Sequence, residues 1–268
     1  AEGQLYMGAM AAVAVGSGVI DAPSYIMIPV IMLAGAAAGA VMLIGPTIMK
    51  TRLGVDEVVT SLLLNFIVLL FVQMMLEGAL KDPMSMGWPQ SEPIIDSAIL
   101  PPLLERMRVH LGLIIALISA FALAIFVKRT VWGFEIRAVG ENAAAARFSG
   151  ISVTKTMVLV AMLSGGLAGL AGVSEVAGTR GYLATDLSPG YGYAGIVVAM
   201  LARLSPIGVI ISALFVASVF VGADSMSRAI GVSNYLADLI VAMSLLCVLI
   251  GGFLTRFKIH FGRQKSAG

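Results

Sequence analysis

Apolar runs, spaced by short polar links, dominate this chain from end to end. A bilayer-crossing helix needs roughly 20 apolar residues. The pattern predicts such helices over 5–20 (short, tilted or half-buried), 27–45, 57–79, 110–128, 156–177, 206–223 and 235–254. Residues 192–202 form an eighth apolar stretch, whose eleven residues at about 1.5 Å each reach about half the hydrocarbon. The expected fold is all-α: a polytopic membrane helix bundle of about 7–8 membrane helices, with one half-spanning or re-entrant region. No soluble domain and no repeat stand out, so 1–268 reads as a single transmembrane domain.

The main polar interruption is 128–155. Asn142 suits a helix N-cap, Ala143 to Ser149 permit a helix, and Gly150 suits the left-handed residue that closes one. Two helical turns fall short of the ~12–15 residues that persist alone in water. The element shows alanines and Phe148 to solvent, so it must lean on something, and a soluble partner beneath the membrane is the natural candidate. The longest external segment, 80–109, holds Pro83, Pro89, Pro93, Pro101 and Pro102, which argue against a helix and for a rim feature.

Placement of Lys and Arg orients the spans. The 46–56 link carries Lys50 and Arg52, the 128–155 loop Lys128, Arg129, Arg137, Arg147 and Lys155, and the tail Arg256, Lys258, Arg263 and Lys265. These eleven mark the cytoplasmic side, against five (Lys81, Arg106, Arg108, Arg180 and Arg228) on the other. The C-terminus is then inside, provided 192–223 is two elements broken at Arg203-Leu204-Ser205-Pro206. Non-helical backbone at membrane depth survives only when buried in protein or lining a wet cavity. The Pro189-Gly190-Tyr191-Gly192-Tyr193 turn is therefore either a pathway element or an ordinary external turn.

Composition agrees: 59% of the 268 residues are hydrophobic and 12% charged, half the share of a soluble domain, and mean hydropathy is +0.99. The 30 glycines suit helices that associate in lipid by close backbone approach; Gly35–Gly39 and Gly165–Gly169 have the required spacing. The 16 methionines read as adaptable packing. The two histidines, His110 and His260, sit at span edges and Cys247 stands alone, so neither a metal site nor a His-dependent hydrolase is expected. The start, Ala1-Glu2-Gly3-Gln4, has no Met and no leader, so an earlier span is expected to be missing.

Several motifs carry a family resemblance. They are Ala1-Glu2-Gly3-Gln4 with Met7-Gly8-Ala9, Gly54-Val55-Asp56-Glu57-Val58 leading to Leu64-Asn65, Arg137 through Asn142 to Gly150-Ile151, and Gly190-Tyr191-Gly192-Tyr193 through Pro206-Ile207-Gly208. Together they resemble the ABC importer permeases of the branched-chain amino acid/monosaccharide superfamily, closest to the nucleoside or "simple sugar" branch. The resemblance implies that 141–150 is the helix that docks in an ATPase, with Glu141, Asn142, Ala145, Arg147, Phe148 and Gly150 as the coupling residues. Ala144 departs from the pattern, standing where related importers often carry Glu. Implied partners are a cytoplasmic ABC ATPase, a second permease subunit (homo- or heterodimeric), an extracytoplasmic substrate-binding protein and membrane lipid, with no nucleic acid. The implied location is the bacterial cytoplasmic (inner) membrane.

Polar groups inside spans are costly and usually face the bundle interior or a cavity. Gln4, Asn65, Glu175, Tyr191 and Tyr193 are the candidate pathway residues. Each has a plainer alternative: a frayed terminus for Glu2 and Gln4, a helix–helix bond for Asn65, interfacial water for Glu175, and the membrane boundary for the tyrosines. No phosphate loop is present, so the chain is not expected to hydrolyse ATP; ATP and Mg belong to the partner, and no cofactor is expected on this chain. The expected function is passage of a nucleoside through an ABC importer. The alternatives are a monosaccharide permease, an ion-coupled carrier using Glu175, and an intramembrane enzyme, for which Ser164 lacks a base.

Overall fold

Glycines decide how the central helices meet. In the computed structural model, which describes residues 2–18, 22–104, 109–231 and 234–256, ten α-helices and two short helical turns account for the regular structure. Helix α2 (Ser24–Leu53) and α7 (Val153–Glu175) cross antiparallel, with Gly35 against Gly169 and Gly39 against Gly165. A Cβ at Gly39, Gly165 or Gly169 would collide with the facing carbonyl. Helix α1 (Glu2–Gly16) closes the triad: Gly8 meets the backbone of Gly169, and Gly172 meets the carbonyl of Leu5. Lipid tails are as apolar as leucine, so such close backbone contact replaces the hydrophobic drive between helices. Both small-residue motifs thus serve packing, as their spacing predicts.

Helix α3 (Glu57–Glu77) lies against α1 through Asn65, Val68, Val72 and Leu76. Asp56 caps it, accepting from Val58 N–H at 2.7 Å, and Lys50 pairs with Glu57 across the α2–α3 link. Helix α4 (Leu111–Arg129) begins on His110, whose Nδ1 accepts from Gly112 N–H at 3.2 Å.

Among the described residues, five helices are long and apolar enough to cross a membrane: Ser24–Leu53, Glu57–Glu77, Leu111–Arg129, Val153–Arg180 and Pro206–Ala229. Five of the seven or eight expected spans are matched among these residues by length and composition. Helix α1, with 15 residues, and α8 (Tyr191–Leu201), with 11, are shorter. Arg106, Arg108, Lys258, His260, Arg263 and Lys265 lie outside the described residues, and so does most of the basic tail used to orient the chain.

The 78–104 loop avoids helix, as its prolines predict, except for one turn at Asp96–Ala98. It is sewn onto α1 and the segment after α7. Ile95 N–H donates to the Gly16 carbonyl, Ile94 N–H to Gly181, and Leu100 N–H to Ala177. Ser91, fully buried, accepts from Leu183 N–H at 2.8 Å.

The segment 181–192 then runs back along α1. It starts level with Gly16, passes Tyr6, whose hydroxyl donates to the Thr185 carbonyl at 2.7 Å, and reaches Glu2 at Gly192. Fourteen residues of α1 at about 1.5 Å each make this a descent of about 21 Å. Leu183 and Leu187 are fully buried along it.

The chain folds as two compact units, 1–192 and 193–268. In the second, α9 (Pro206–Ile230) and α10 (Asn234–Arg256) pack together, and Ala194, Val198 and Val216 share a cluster with Leu245. The break expected at Arg203–Pro206 is present. Arg203 and Leu204 both take positive φ (52° and 57°), Ser205 caps α9, and Pro206 supplies a first residue that needs no N–H.

Candidate functional site

Two places gather the candidate residues. The first is an elbow between α4 and α7. Thr130 ends α4 by donating to the Phe126 carbonyl (2.7 Å) and starts α5 (Val131–Glu141) by accepting from Gly133 N–H (3.0 Å). Arg137 donates to the Val127 carbonyl at 2.6 Å and so satisfies the end of α4. Helix α5 is absent from the sequence reading. Its Val131, Trp132 and Phe134 are exposed on one side while Val139 is buried on the other, a pattern that a longer window blurs into a polar loop.

Asn142 ends α5 and caps α6 (Ala143–Phe148), its Oδ1 accepting from Ala144 and Ala145 N–H, both at 3.0 Å. Gly150 takes φ +86°, with Ile151 N–H on the Ala146 carbonyl and Gly150 N–H on the Arg147 carbonyl. That pair of bonds is the Schellman closure, and the left-handed residue within it favours glycine. Both caps fall where the sequence puts them. The support is partly internal: Ala146 is buried against Val139 and Val153, so α6 leans on α5 and α7. On the other side Phe148 is 95% exposed, with Glu141, Ala144, Ala145 and Arg147 also open.

The second place is the first turn of α1. Glu2 (5% exposed), Gln4 (3%) and Asn65 (2%) are buried, so this end of the helix is packed rather than frayed. Gly3 N–H donates to Asn65 Oδ1 at 2.9 Å, which makes Asn65 an interhelical bond as well as a pathway candidate. Glu2 Oε1 accepts from Gly192 N–H at 2.7 Å. This brings Tyr191, whose own N–H rests on Ser188 Oγ at 3.0 Å, to the same turn. The Glu2 Oε2 and Gln4 Oε1 atoms are buried and have no hydrogen-bond partner among the described residues.

Gln4, Asn65 and Tyr191 therefore share one neighbourhood. Glu175 does not join it: the segment just after α7 is tied through 94–100 to the Gly16 end of α1 (Leu100 N–H on Ala177, Ile94 N–H on Gly181, Ile95 N–H on Gly16), so Glu175 lies toward that far end. Tyr193 belongs to the second unit, where it is 48% exposed. Tyr6 joins the arrangement without any local sequence signal, and Gly192, part of the turn that the sequence singles out, meets Glu2 because 181–192 returns along α1. An apolar groove of about 470 Å³ lies beside Asn65, between α1, α2 and α3, lined by Met7, Val41, Met42, Leu64, Val68 and Phe71. Those side chains are all apolar, and the nearest buried polar groups are those of the α1 turn.

Residues 1–249 match the family model described as branched-chain amino acid transport system / permease component. The glucose ABC transporter permease protein TsgB13 of Haloferax volcanii is 35% identical over 97% of this chain and 70% of its own length. The guanosine ABC transporter permease protein NupP of Bacillus subtilis is 34% identical over 99% of this chain and 76% of its own. The nucleoside ABC transporter permease protein NupB of Lactococcus lactis subsp. cremoris is 33% identical over 78% and 59%. No solved structure matches the chain.

Proposed function

Because the chain belongs to the branched-chain amino acid transport permease family and is a multi-pass membrane protein, we propose that it is the membrane subunit of an ATP-binding-cassette importer that passes a nucleoside. Two of its relatives are nucleoside-type permeases matching at 33–34% identity, which supports that solute class. A monosaccharide is the second reading, favoured by the glucose permease at 35%. In this reading the elbow and the C-terminus face the cytoplasm of a bacterial inner membrane, and the 78–104 loop faces outside. A separate ATPase holds ATP and Mg, a second permease subunit completes the pore, and an external binding protein delivers the solute.

The observation that carries the proposal is α6. It is doubly capped, braced from behind by Ala146, and presents Phe148 bare on its free side. A large apolar side chain held rigidly in water suits insertion into a cleft of another protein. Gln4, Asn65 and Tyr191 are then the pathway residues near α1, and Glu175 and Tyr193 contribute elsewhere along the route.

Phe148→Ala tests it. ATPase co-purified with the permease should fall at least about tenfold, the loss of one buried aromatic anchor. The fold should be unaffected, since Phe148 touches no core. An unchanged yield of bound ATPase overturns the docking assignment.

A further inference from the structure

We propose that Glu2 contacts the solute directly: its free oxygen accepts a hydrogen bond from an N–H or O–H donor of the transported molecule while its other oxygen holds the start of α8. This deepens the permease reading above and rests on it. Oε1 is occupied, 2.7 Å from Gly192 N–H. Oε2 is buried and has no partner among the described residues, and Glu2 as a whole is only 5% exposed. Leaving a carboxylate oxygen in that state is costly, because burial removes its water and nothing replaces it. The described ion pairs join Lys50 to Glu57, Arg180 to Asp186 and Arg228 to Asp224, so among the described residues no basic side chain pairs with Glu2.

Anchoring a helix does not need this group. Elsewhere in the chain the starts of α5, α6 and α9 are held by Thr130, Asn142 and Ser205, short neutral side chains that leave no buried charge. At α8 itself, Ser188 already serves Tyr191 in that way. A long carboxylate with a spare acceptor therefore exceeds the structural requirement.

Two further observations place it on a route for a polar molecule. Gln4, two residues on and 3% exposed, also has its carbonyl oxygen buried without a donor among the described residues. The 181–192 segment opposite is non-helical over most of its length, and backbone of that kind at membrane depth persists where it lines a cavity or is buried in protein. The chemistry follows: Glu2 admits solutes that offer a donor and repels anionic ones, so a nucleoside passes and a nucleotide does not.

The test is a thermodynamic cycle on the whole importer, reconstituted in liposomes with its ATPase and external receptor. Uptake of guanosine is compared with its 2′-deoxy, 3′-deoxy, 5′-deoxy and 1-methyl analogues and with inosine, which lacks the 2-amino group, for wild type and for Glu2→Gln. Glutamine retains an acceptor for Gly192 and places an N–H₂ where the solute donor should point. The receptor is common to both arms, so its own preferences cancel in the ratio. Glu2→Gln should lower kcat/KM for guanosine about tenfold to a hundredfold, the loss of a bond to a charged group. For the one analogue lacking the matching donor, the same substitution should cost almost nothing.

An equal penalty across every analogue, or none for guanosine, overturns the role of Glu2 and leaves the permease reading standing on wild-type uptake. If wild type takes up no nucleoside, the nucleoside reading falls, and the same cycle with glucose and its monodeoxy analogues decides Glu2. Should Glu2→Gln fail to assemble, Glu2→Asp, which keeps the charge and shortens the reach, carries the same panel.

Discussion

The α1–α2–α7 triad and the α5–α6 elbow are both rich in small residues, yet they use them in opposite ways. In the triad, glycine removes side chains so that two backbones touch, and Gly39, Gly165, Gly169 and Gly172 all face carbonyl oxygens. In the elbow, alanines leave a short helix thin, so that a single residue, Ala146, is enough to seat it while Phe148 stands clear. One arrangement resists any added atom. The other tolerates change on its free side because none of the described residues covers it. What differs is the neighbour: backbone in the triad, solvent in the elbow.

The contrast is broken most forcibly at Gly169→Leu. The new side chain has to enter the space held by the Gly35 carbonyl, and overpacking of this kind costs about 3 kcal/mol or more. The expected result is loss of the monodisperse peak on size exclusion of solubilised protein. A wild-type profile would show that the triad can separate.

Asn142→Ala sharpens the other side. Removing the cap bonds to Ala144 and Ala145 should cost about 1 kcal/mol, confined to α6. Hydrogen exchange should speed up at 143–150 and stay unchanged in α2 and α7. Acceleration in both regions would mean that they form one cooperative unit.

The smallest effect expected is on pH. Burial holds His110 below its ordinary pKa of 6.5, and its unprotonated Nδ1 caps α4. The folded state thus favours the neutral ring, so its contribution is complete above about pH 6.5 and is lost as pH falls below that value. Thermal stability should decline as pH falls below about 6.5. His110→Asn, which can cap without titrating, should flatten that slope; an identical slope in the variant would assign it to other groups.

Much of the site was legible because it is local. Asn142 and Gly150 announce α6 through cap chemistry that depends only on neighbours within a few residues, and Arg203–Pro206 announces a break for the same reason. Helix α5 was missed because its apolar side is short and interrupted by Glu135 and Arg137. The candidates in the spans divide by distance. Asn65 and Gln4 could be named as costly polar groups, but their shared neighbourhood, and the exclusion of Glu175 from it, come from helix register alone.

By itself the sequence determined the material: apolar segments of spanning length, small residues spaced for close approach, and a capped helix too short to stand alone. Those follow from period, length and cap preference, which are properties of neighbouring residues. Only the tertiary structure decided that 181–192 returns along α1 and ties Gly192 to Glu2, 190 residues apart in sequence. That contact exists because the 78–104 loop and the glycine triad fix where the returning chain can lie, and no local preference encodes such a meeting.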